Sequence, residues 1–103
     1  MDVGKPKIMS KLSNIHPCEI LEEEFLKPMS ISAYRLSQAI VVSQTSTSQI
    51  LKGKRRITAD TALRLSKFFG TSTKFWLGLQ NDFDIEAECN NIKKELDHIQ
   101  PWN

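Results

Sequence analysis

The stretch Val41–Arg56, "VVSQTSTSQILKGKRR", decides how this chain folds. Two apolar residues lead into an unbroken run of hydroxyl and amide side chains, Ser43 to Gln49. The run closes on Ile50-Leu51, one glycine and four basic residues. Such a tract is either a polar linker or a helix whose exposed face consists of hydrogen-bonding groups. Its boundaries favour the helix. Ser43 is a good N-cap, Ile50 and Leu51 supply an apolar anchor, and Gly53 stands where a helix ends on a left-handed residue. A linker needs none of these.

Working outward, Ser32 caps an earlier helix with Leu36, Ala39 and Ile40 on one face, and Val41-Val42 breaks it. Two helices joined by about three residues have the helix-turn-helix spacing. Further upstream, Pro17 suits a first helical turn, and Ile20, Leu21, Glu24 and Phe25 make a short amphipathic helix that Pro28 should terminate. Its early glutamates sit near the positive end of the dipole. Downstream, Thr58 caps a fourth helix with Ala62, Leu63, Leu65, Phe68 and Phe69 as its stripe, stopped by Gly70. Ser72 or Thr73 begins a fifth. Phe75, Trp76, Leu79, Phe83 and Ile85 pack its first half, and Ile92, Leu96 and Ile99 continue it at spacings of four and three. No alternating strand pattern occurs, so the chain reads as all-α with five helices. Residues 1–14 carry three lysines, Gly4 and Pro6 and read as a flexible arm. Residues 15–90 form the helix-turn-helix domain, and 91–103 a C-terminal helical extension and tail.

At 103 residues, 40% hydrophobic and 25% charged, the chain supports one ordinary core. It has no apolar run near the ~20 residues that span a bilayer. The N-terminal stretch lacks the apolar centre of a signal peptide, so no membrane association and a cytoplasmic site are expected, with Cys18 and Cys89 as free thiols. Charge is segregated. Between Tyr34 and Lys74, eight basic side chains stand against Asp60 alone, whereas six acids face two lysines from Phe75 onward. A basic middle between acidic ends suggests a polyanion-binding surface. The plainer alternative is a solvated surface of mixed charge.

In a helix-turn-helix the second helix enters the major groove with its N-terminal residues at the base edges. That places Gln44, Thr45, Ser48 and Gln49 on the bases, with Ile50 turned inward. Glutamine can pair with adenine through two hydrogen bonds, and a threonine methyl can touch that of thymine. Lys52, Lys54, Arg55 and Arg56, with Ser32 and Ser43 at the helix starts, are assigned to phosphates. Other constellations lead nowhere. His16 and Cys18 have no further ligands at helical spacing for a metal, and a capping or packing role suits the histidine better. Glu22, Glu23 and Glu24 fan around a helix. Nothing resembles a phosphate-cradling loop or HExxH, so neither enzyme nor cofactor is expected. Trp102 is either an interface anchor or part of a frayed end.

The segments "HPCEILEEEFLKPMSISAYRLSQAI" and "ILKGKRRITADTALRLSKFFGTSTKFWLGLQNDFDIEAE", in that order, resemble the HigA-type antitoxins, also called virulence-associated protein I, of the Xre/lambda-repressor-like helix-turn-helix group. The likeness spans about residues 15–90. It implies a five-helix lambda-repressor-like DNA-binding domain, a homodimer on a palindromic operator, and a RelE-like ribonuclease toxin as partner. Three positions depart from the family pattern. Val41 replaces the usual corner glycine, so the corner is strained or reshaped. Thr47 replaces an inward aliphatic residue, placing against the core a hydroxyl that could bond back to a carbonyl one turn earlier. Ala33 replaces a phosphate-gripping glutamine. The apolar stripe Ile92, Leu96 and Ile99 is the expected dimer interface, unless it folds back on its own domain. The second functional reading is a protein-interaction module whose helix-turn-helix no longer serves DNA, or a stand-alone regulator without a toxin partner.

Overall fold

A computed structural model describes residues 14–102. Apart from Asn14, the expected N-terminal arm lies outside the described residues. Among those residues the structure is entirely helical. Helix α1 spans residues 17–29, with α-helical Pro17–Ile20, a π-helical Leu21–Leu26 and a closing turn Lys27–Met29. Then follow α2 (Ala33–Ala39), α3 (Gln44–Leu51), α4 (Ala59–Phe69), α5 (Thr73–Asn91) and a short α6 (Lys93–Asp97).

Local chemistry accounts for most of the boundaries. His16 Nδ1 accepts from the Cys18 N–H at 3.1 Å, and Pro17 occupies the first helical position. Ser32, Ser43, Thr58 and Ser72 each accept, through the side-chain oxygen, from a backbone N–H three residues on. Gly70 ends α4 with φ 77°. Pro28 does not terminate α1, contrary to expectation. The helix runs one residue further and stops on Ser30, which takes the left-handed conformation at φ 55°. A proline ring crowds the carbonyl one turn earlier. Here the preceding turn is widened to π geometry, with the Lys27 N–H reaching back to the Glu22 carbonyl, and this accommodates the ring.

The core consists of Leu21, Leu26, Leu36, Ile40, Ile50, Ile57, Ala62, Leu65 and Trp76, with Phe25 and Phe69 packed against it. Each large side chain contributes roughly 1.5–3 kcal/mol by leaving water. Trp76 is fully buried and its Nε1–H donates to Thr71 Oγ1 at 2.6 Å. Phe25 lies 4.9 Å from both Phe69 and Trp76, centroid to centroid. These contacts tie α1 to α4 and α5.

Several expected core positions are instead exposed: Ala39, Leu63, Phe68, Phe75 and Ile85. On α4 the buried line passes through Ala62 and Leu65, leaving Leu63 and Phe68 on its flank. Conversely Ser37, Thr47 and Gln80 are buried polar residues. The fifth helix also stops short of expectation. Ile92 leaves helical geometry at φ −111°, ψ 25°, so the extension turns into α6 instead of continuing α5. No helix among the described residues is long and apolar enough to cross a membrane.

Candidate nucleic-acid interface

Helices α2 and α3 meet at a corner built on Val41. The Val41 N–H donates to the Gln38 carbonyl at 3.3 Å and the Val42 N–H to the Ser37 carbonyl at 3.0 Å. This pair of bonds normally closes over a left-handed glycine. Val41 adopts that conformation itself, at φ 57°, with the residue 77% exposed. The corner is therefore strained and keeps its usual shape. Arg64 reaches across from α4, its Nη1 donating to the Ile40 and Val41 carbonyls at 2.9 Å each and its Nε to Asp60 at 2.7 Å.

Within α3, Thr47 and Ile50 face the core. The Thr47 hydroxyl has no hydrogen-bond partner among the described residues, so the bond back to the preceding turn is not made. The opposite face is polar and open. Gln44, Thr45, Ser48 and Gln49 line one open depression of about 460 Å³, with Lys52 and Lys54 on its rim. All four residues expected at base edges thus come together, along with two of the expected phosphate contacts. Thr45, Ser48, Gln49 and Lys52 share a helix face through their three- and four-residue spacing. Ser43 caps this helix by accepting from Ser46 N–H at 3.1 Å, which leaves its own O–H available as a donor. Ser32 holds the equivalent place on α2.

The loop after α3 is folded tightly. Gly53, at φ 76°, lets its own N–H donate to the Ile50 carbonyl and the Lys54 N–H donate to the Gln49 carbonyl at 2.8 Å. A side chain at residue 53 would meet His16 Nε2 at 3.4 Å and Cys18 Sγ at 3.5 Å, so α1 packs directly under this turn. Arg55 and Arg56 do not line the depression. Arg55 Nε donates to Gln49 Oε1 at 3.1 Å, and Arg56 forms an ion pair with Asp84 of α5. Both members of that pair are substantially exposed, which limits it to about 0–1 kcal/mol.

Sequence reasoning missed Gln80. Buried on α5, it accepts the Ile57 N–H at 2.8 Å through Oε1 and donates from Nε2 to Asp84 at 3.0 Å. The two residues hold the end of the basic loop from one helix face. The available signal was position: Gln80 follows Trp76 by four, in the inward register.

The remaining candidates resolve simply. His16 caps α1 and packs against Phe83 with the rings tilted, centroids 4.5 Å apart. Burial, with Glu19 beside it, pushes the Cys18 thiol above its ordinary pKa, and both cysteines are free. Glu23 pairs with Lys27 on a solvated face. Among the described residues no group of histidine, cysteine or carboxylate side chains is arranged to hold a metal. Ile92 is half-buried, Leu96 and Ile99 are exposed, and Trp102 is fully exposed.

A short polar helix set across a tight corner, with cations at its end and four helices behind it, defines a helix-turn-helix protein of lambda-repressor-like architecture. Comparison with known proteins narrows this. Residues 23–76 match the family model described as helix-turn-helix. Virulence-associated protein I of Dichelobacter nodosus is 44% identical over 93% of this chain and 88% of its own length. An addiction module antidote protein of a HigA family from Coxiella burnetii superposes with a TM-score of 0.83 at 41% identity, over 88% of this chain and all of that one. The antitoxin HigA of Pseudomonas aeruginosa, solved with the higBA promoter, gives 0.84 at 36% identity over the same shares. This chain belongs to the HigA-type antitoxins of the helix-turn-helix family, a group of regulators and not of enzymes.

Proposed function

We propose that this protein binds its own operator as a homodimer, represses the operon from there, and neutralises a RelE-like ribonuclease toxin by direct contact in the cytoplasm. The observation that carries the DNA reading is the depression on α3, lined by four neutral polar side chains together with two lysines from the end of the helix. These groups are neutral donors and acceptors of the size that meets base edges, and the lysines supply positive charge for the flanking phosphates. The solved promoter complex of the Pseudomonas aeruginosa relative supports the same use of the fold.

One α3 reads only a few base pairs, too few to single out one site in a genome, so a second copy on a palindrome is required. The half-exposed to exposed stripe of Ile92, Leu96 and Ile99 is the interface we assign to it. The two α3 helices then lie about 34–36 Å apart, one turn of duplex. Binding to duplexes from the chain's own promoter, titrated with salt, tests the reading. A cognate site should win over random duplex, and log affinity should fall linearly with log salt concentration. Equal affinity for cognate and random duplex removes the operator. Failure to co-purify with the product of the adjacent reading frame removes the toxin.

A further inference from the structure

The side chain of Gln49 is not free to choose its partner. Arg55 Nε lies 3.1 Å from one terminal atom of the Gln49 amide. A guanidinium has donors only, so that atom must be the oxygen, and the amide orientation is fixed by chemistry. The backbone makes this contact possible. Left-handed Gly53 and the bond from Lys54 N–H to the Gln49 carbonyl fold the loop back over the last turn of α3, which brings Arg55 onto Gln49. Gln49 meanwhile lines the depression with Gln44, Thr45 and Ser48.

We infer that Arg55 is a positioning residue for base selection: by holding the Gln49 oxygen it leaves the amide to present N–H donors to the groove. Resting on the operator-binding reading above, this assigns Gln49 a guanine, whose O6 and N7 both accept. An unheld glutamine would favour adenine, because that pairing uses oxygen and nitrogen together. Arg55 therefore acts on sequence preference, which a phosphate contact does not.

The test is selection from a randomised duplex library, with salt titration, for wild type and four variants. Gln49→Ala identifies the base step that Gln49 reads, by flattening preference there alone. At that step wild type should favour guanine over adenine, and Arg55→Ala should shift the ratio toward adenine on the order of tenfold, the discrimination of one base contact. Gln49→Ala with Arg55→Ala should match Gln49→Ala alone at that step. Gln49→Glu keeps an acceptor for Arg55 and removes the donors, so it should lose the guanine preference without requiring Arg55 to be altered. A uniform loss of affinity from Arg55→Ala with preference intact overturns the inference, as does guanine preference surviving in Gln49→Glu. Wild type that selects no sequence at all instead overturns the operator reading itself.

Discussion

Arg64 and Val41 are joined by a hydrogen bond of 2.9 Å from the guanidinium to the carbonyl of the one residue that closes the α2–α3 corner. The same nitrogen holds the Ile40 carbonyl, and Asp60 holds the guanidinium in turn. A β-branched residue in the left-handed region costs roughly 1–2 kcal/mol. Val41→Gly should therefore raise stability by about 1 kcal/mol, since the exposed side chain loses little burial. Arg64→Ala should lower it by roughly 1–2 kcal/mol, and by less in the Val41→Gly background. Urea denaturation of the four proteins measures the coupling. A midpoint that drops with Val41→Gly would mean that glycine's unfolded-state entropy outweighs the strain.

Thr47 buries a hydroxyl that finds no partner among the described residues. Valine has nearly the same shape and no polar atom. Thr47→Val should stabilise the domain by about 1–2 kcal/mol, the order of an unmet hydrogen bond, and leave operator affinity unchanged. Denaturation and duplex binding on the same preparation check both halves.

Gln80 is the buried acceptor for the Ile57 N–H. Gln80→Leu strands that donor and releases Asp84 from one of its partners. A loss of roughly 1–3 kcal/mol is expected, together with weaker duplex binding as the basic loop loosens. A variant as stable as wild type would show that the chain re-satisfies Ile57 in another way.

Gln44 and Lys54 should behave differently although both line the same depression. Gln44→Ala should cost roughly 1–3 kcal/mol on the cognate site and relax preference at one base pair. Lys54→Ala should weaken all duplexes alike and reduce the salt slope by about 1. Equal losses on cognate and random duplex from Gln44→Ala would remove it from base recognition.

For the dimer, Leu96→Asp with Ile99→Asp places two charges on the exposed end of the apolar stripe. Folded monomers with much weaker operator binding are expected, read by sedimentation and circular dichroism. A dimer that persists with unchanged affinity moves the interface elsewhere, to the first half of α5.

What could be read in advance was local. Ser32, Ser43, Thr58 and Ser72 announce helix starts because a cap is decided within four residues, and each one caps in the structure. The convergence of Gln44, Thr45, Ser48 and Gln49 follows from helical spacing alone. Tertiary geometry decides the rest. Leu63 and Phe68 belong to an apolar stripe on paper, yet the line that α4 buries passes through Ala62 and Leu65. Arg55 and Arg56 read as two equal cations, but one is turned to Gln49 and the other to Asp84, 28 positions away. Pro28 was expected to stop α1, and a π turn ahead of it lets the helix go on.

Asn14 Nδ2 donates to the Phe83 carbonyl at 2.8 Å across 69 positions, and the His16 ring packs, tilted, against the same residue. Closing so long a loop carries an entropic cost that the short-range helix pairs do not meet, so this latch is expected to form after them. Once shut, it joins the residues just ahead of α1 to the middle of α5 in one cooperative unit. Among the described residues the stretch beyond the bend at Ile92 shows no such anchor at its exposed end, so opening it breaks none of the contacts that close this latch.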